Sequence, residues 1–175
     1  MMKMFAPPQG ASATRSLARA GVIAAVYVVM TILTPFTLSF GPVQFRIAEA
    51  LTLMPLLTVD AVPGLCVGCL LANLLGGGVW FDVVLGALAT LLAALCTYRT
   101  REKPLLAAAF PAIFNGLIVG PVVYFAYVRA PGDPVAMGAL LFTMATVAIG
   151  EIVVCYTLGL ALYYALRCLP DSVFR

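Results

Sequence analysis

The chain has no histidine, two lysines (Lys3 and Lys103) and one tryptophan, and only 10% of its 175 residues are charged. Without imidazole the commonest zinc ligand is missing. The same absence excludes a histidine-assisted serine or cysteine nucleophile. No G-x-x-x-x-G-K-[ST] run occurs, so the chain cannot bind and hydrolyse ATP by the P-loop route. No internal repeat pairs its first half with its second, which argues against an inverted-repeat porter. The five cysteines (66, 69, 96, 155 and 168) lie in or beside apolar segments, where they behave as small hydrophobes. Cys66 and Cys69 form a C-x-x-C with no second pair, so no metal and no cofactor are expected.

What is abundant is apolar surface. The hydrophobic fraction is 63%, well above the ~45–50% of soluble domains. Gly21 to Phe45 carries no charge, nor does the run between Lys103 and Arg129, and between Asp133 and Arg167 only Glu151 is charged. A helix crosses a bilayer with about 20 apolar residues, so each run is long enough and the chain reads as an all-α integral membrane protein. The net charge of +3 does not point to nucleic acid, because the basic residues fall in short gaps between apolar runs.

Turn residues divide the chain into six expected crossings. The first covers about 17–35, and the loop SFGP follows. Pro42 then suits the start of a second helix reaching about Leu57. The third, GLCVGCLLANLL, stops at Gly76-Gly77-Gly78; the fourth starts at Asp82 and ends near Tyr98; the fifth covers about 105–128. Residues 135–169 form one very long or broken helix. The second and third are short for a core of ~30 Å. The expected domains are a flexible cytoplasmic arm (1–16), a transmembrane substrate-binding bundle (17–169) and a cytoplasmic tail (170–175). No signal-peptide cleavage pattern is seen. With both termini inside, Lys3, Arg15, Arg19, Arg99, Arg101, Lys103, Arg167 and Arg175 are cytoplasmic and only Arg46 and Arg129 are outside, as the positive-inside rule requires.

Small residues recur at four-residue spacing: Ala20 and Ala24 with Gly21 and Ala25, then Gly64, Gly68 and Ala72, and Gly116 with Gly120. Such spacing lets helices approach closely in lipid; on the first helix it also suits a partner protein.

Ionisable side chains inside a bilayer are costly and generally face the bundle interior. Glu151 is the clearest, with interhelical pairing as its plainer role. Asn115 and Asn73 need hydrogen-bond partners, from a ligand or a neighbouring helix. Asp82 is expected to cap the fourth helix, and Trp80 to sit at the outer interface or lid a ligand. Arg46 and Glu49, three residues apart, share one helix face and form either an intrahelical pair or part of the site. Facing inward, they join Glu151 and Asn115 in a polar cavity walled by Phe45, Phe114, Tyr124, Phe125 and Tyr156, suited to a small, flat, polar ligand.

VQFRIAEALTLMPLL, PGLCVGCLLANLL, FDVVLGALATLLAALCTY and FNGLIVGP together resemble the QueT family of queuosine-precursor transporters, S components of energy-coupling factor (ECF) transporters. The similarity runs from about 18 to 166. It implies a non-enzymatic, multi-pass cell-membrane protein with six helices. Such a protein captures a 7-deazaguanine, preQ1 or queuine, outside and docks on a membrane T component driven by two ATPase subunits. It also implies docking through an alanine face on the first helix, which Ala20 and Ala24 fit. Two alternatives stay open: an S component for another vitamin-like heterocycle, and a stand-alone proton-coupled porter titrating Glu151.

Overall fold

A computed structural model of the chain describes residues 13–34, 45–170 and 173–174. Most of the expected arm, the SFGP loop and Pro42 lie outside them. The described residues form six helices: α1 (Ala13–Leu33), α2 (Ile47–Leu56), α3 (Ala61–Leu75), α4 (Trp80–Arg99), α5 (Pro104–Val128) and α6 (Met137–Leu166).

Four of them, α1, α4, α5 and α6, have 21, 20, 25 and 30 residues and are long and apolar enough to cross a membrane. The other two are short. The 15 residues of α3 rise about 22 Å. The ten of α2 are wound as a 3-10 helix, which at its steeper rise gives about 20 Å. Eight of those ten are buried, and α2 packs against all five other helices. A short helix that is apolar all round belongs inside a bundle, and α2 forms the centre of this one.

α1 begins at Ala13, four residues before the expected start, so Ala13–Ser16 are helical rather than part of the arm. Its first turns are anchored to the turn before α3: the Ser16 hydroxyl donates to Asp60 Oδ1, and Arg19 Nε donates to Oδ2 at 2.6 Å. α6 is one 30-residue helix, with a wide π turn at Cys155–Gly159. α5 carries two such turns, Asn115–Val119 and Tyr124–Val128. Pro111 and Pro121 precede them and cannot donate to the carbonyls four residues back, a lesion that wider turns accommodate.

The small-residue stripes hold the helices together. A Cβ on Gly64 would lie 2.7 Å from the Ala20 carbonyl oxygen, and one on Gly68 3.1 Å from Ala24 Cα. On the other side of the bundle, a Cβ on Gly120 would lie 2.7 Å from Met144 Cα. Ala20 and Ala24 thus pack against α3. The neighbouring Gly21, with nothing within 4 Å of a Cβ, and the exposed Ala25 face outward.

Candidate functional site

The apolar bundle contains a polar centre. Arg46, Glu49, Asn73, Asp82, Asn115 and Glu151 are all buried, none more than 7% exposed. They come from α2 and the residue before it, α3, α4, α5 and α6. Each reaches its neighbour from a different helix, which is how a bundle core offers several polar groups to one place.

Two sub-clusters are visible. In the first, Arg46 Nη2 lies 3.7 Å from Asp82 Oδ2, and Asn73 Nδ2 donates to the Asp82 carbonyl at 3.1 Å. In the second, Asn115 Nδ2 donates to Glu151 Oε1 at 2.8 Å, and the Tyr27 hydroxyl donates to Glu49 Oε1. Cys155 joins these last two acids: its thiol lies 3.7 Å from the Glu49 carbonyl and 4.0 Å from Glu151 Oε2. The Thr52 hydroxyl, 3.6 Å from that sulfur, donates to the Glu49 carbonyl at 2.5 Å.

Two expected roles change. Asp82 does not cap α4: Val79 holds the extended cap conformation, and Asp82, third in the helix, is fully buried with its carboxylate turned to Arg46. A carboxylate next to a buried guanidinium is better used as a counter-charge than as a cap for amides at the rim. Arg46 and Glu49 likewise reach across the bundle, to α4 and α1, because Arg46 precedes α2 rather than lying within it.

Two other expected residues turn their side chains away from this cluster. Trp80 is 65% exposed at the start of α4, its ring 4.1 Å from that of Phe81. Tyr156 is partly exposed, and its hydroxyl donates to the Leu105 carbonyl at 2.8 Å on the outer side of α5. Of the expected aromatic wall, Tyr124 is fully buried and accepts from the Ala136 amide at 2.8 Å. Phe45 and Phe114 are half-buried, and Phe125 faces outward. Sequence reasoning missed Tyr27, Thr52 and Cys155. Tyr27 follows Ile23 by four residues and precedes Thr31 by four, on the buried face of α1, and Cys155 follows Glu151 by four on α6; that helical spacing was the available signal.

Some polar atoms of the cluster are left over. Glu49 Oε2, Asn73 Oδ1 and both carboxylate oxygens of Asp82 are buried and accept no hydrogen bond among the described residues. All four are acceptors; the donors of Tyr27, Asn73, Asn115 and Thr52 are used within the cluster, and the Arg46 guanidinium faces Asp82 Oδ2 at 3.7 Å, beyond hydrogen-bond reach. Leaving a buried polar atom unsatisfied costs about 1–3 kcal/mol, more for a charged group. Three carboxyls, of Glu49, Asp82 and Glu151, share the cluster with one guanidinium. Among the described residues the cluster therefore holds more acid than base. No group of three or more Cys, Asp or Glu side chains is placed to hold a metal among the described residues.

A multi-pass helical bundle with a buried polar centre has the construction of a membrane transport protein. The family model described as QueT transporter matches residues 17–168, and the chain belongs to that transporter family. Among curated proteins, the queuosine precursor transporter QueT of Lactococcus lactis subsp. cremoris (strain MG1363) is 34% identical over 83 residues. That alignment covers 46% of this chain and 48% of the relative, so the chain spans about half the length of the curated relative it matches. No solved structure matches the chain significantly.

Proposed function

We propose that the protein is the substrate-capture subunit for uptake of a queuosine precursor, a 7-deazaguanine such as preQ1 or queuine, across the cell membrane. The observation that carries this reading is the set of buried, unsatisfied acceptors on Glu49, Asn73 and Asp82 beside the Glu151–Asn115 pair. A guanine-type edge presents adjacent N–H and NH₂ donors, which carboxylate oxygens accept in charge-assisted bonds. Its ring carbonyl suits the Arg46 guanidinium. The cationic side group of these precursors answers the excess of acid.

No ATP-binding motif is present, so uptake needs an external engine: an ECF T component with two ATPase subunits. The partner docks along the outward face of α1 at Gly21 and Ala25, since Ala20 and Ala24 cover α3. The termini and the basic loop Arg99–Lys103 are cytoplasmic, and the ligand enters from the opposite side. Cells unable to make the precursor test this. Labelled preQ1 or queuine should accumulate only when the chain is co-expressed with an ECF module. Accumulation by the chain alone in proton-loaded vesicles would contradict the capture-subunit role.

A further inference from the structure

The three acids of the cluster are not equivalent. Glu49 and Glu151 each have one oxygen held by a neutral donor, the Tyr27 hydroxyl or the Asn115 amide. Asp82 is fully buried, yet neither of its oxygens accepts a hydrogen bond among the described residues. Asn73, equally buried, adds a third unsatisfied oxygen, while its amide nitrogen is fixed on the Asp82 carbonyl at 3.1 Å. Glycines approach the pair closely from two sides: a Cβ at Gly78 would lie 3.4 Å from Asp82 Oδ2, and one at Gly86 3.6 Å from Oδ1 and 2.7 Å from Asn73 Nδ2. With Asp82 Oδ2 facing Arg46 at 3.7 Å, Asp82 Oδ1 and Asn73 Oδ1 remain as acceptors for the N–H donors of an ammonium group, whose charge the Asp82 carboxylate meets.

Depth separates the acids too. Asp82 is third in α4 and Asn73 third from the end of α3, flanking the Gly76–Gly78 turn. Glu151 and Asn115 are near the middles of α6 and α5.

Building on the proposed function, we propose that Asp82 and Asn73 form a separate subsite for the ligand's ammonium group, near the bundle end that carries the Gly76–Gly78 turn. The heterocycle then reaches inward past Arg46, with its donor edge on Glu49 and Glu151. In this orientation the amine meets Asp82 Oδ1 and Asn73 Oδ1 with two of its N–H groups, so one site accepts both a primary aminomethyl and its N-alkylated form. A neutral group at the same ring position loses the Asp82 contact.

The test is calorimetric titration of the purified full chain with preQ1 and with its neutral 7-methyl counterpart, on wild type, Asp82→Asn and Glu49→Gln. Wild type should prefer preQ1 by about 30-fold, the worth of one charge-assisted hydrogen bond. Asp82→Asn should erase that preference by weakening preQ1 alone, while Glu49→Gln should weaken both ligands and keep the preference. Equal affinity of wild type for the two ligands would overturn the subsite and leave the proposed function standing, and this reading holds even if Asp82→Asn does not fold. Loss of the preference in Glu49→Gln, or its persistence in Asp82→Asn, would also overturn it. Failure of wild type to bind either ligand would overturn the proposed function itself, and the subsite with it.

Discussion

Glu151 and Asn115 meet at 2.8 Å near the middles of two long helices, where neither side chain has water to fall back on. Glu151→Gln keeps the shape and can still accept from Asn115 but removes the charge that a donor edge would meet. It should leave the melting temperature in detergent nearly unchanged and weaken deazaguanine binding by about 30-fold or more. Wild-type affinity in that variant would remove Glu151 from the site. Glu151 was legible as a lone charge in an apolar run. Its partner could not be read, because pairing depends on which faces of α5 and α6 meet. Asp82 shows the opposite limit: an aspartate near a helix start is usually a cap, and only the arrival of Arg46 from before α2 turns it inward.

Among the elements, the long helices were readable from uncharged runs and turn residues, and their ends differ from expectation by a few residues. α2 was the least readable: its length and proline signalled a short helix, but nothing local announced a 3-10 winding buried on all sides. Its environment is set by five other helices. The wide turn of α6 was equally hidden, since no proline precedes it as Pro111 and Pro121 precede those of α5; it opens at Cys155, where the thiol comes to Glu49 and Glu151. The glycine stripes were readable as contacts but not as pairs. Gly120→Leu drives a side chain into Met144 Cα, 2.7 Å from the position of its Cβ, and must part α5 from α6. It should lower stability by about 1–3 kcal/mol or more, seen as a fall in melting temperature in detergent. Gly138→Ala, with nothing within 4 Å, should not. Equal melting of the two variants would contradict the packing described here.

For the whole molecule, the bundle has two unlike ends. At one, Ser16 and Arg19 fasten α1 to Asp60 beside the turn into α3. At the other, Arg46, Asn73 and Asp82 gather buried charge and unsatisfied acceptors beside a glycine turn. In the proposed orientation the first end is cytoplasmic, and Arg46, Asn73 and Asp82 lie towards the opposite face. In the proposed function the chain holds the ligand and, having no P-loop motif, relies on other subunits to drive its movement by ATP. The central claim is thus about binding by this chain alone. Calorimetry of the purified protein against preQ1, queuine, guanine and unrelated vitamins, with no other subunit present, tests it most directly. Saturable binding of at least one deazaguanine, tighter than any unrelated vitamin, is the predicted result; silence towards every deazaguanine, in protein shown to be folded, would contradict it.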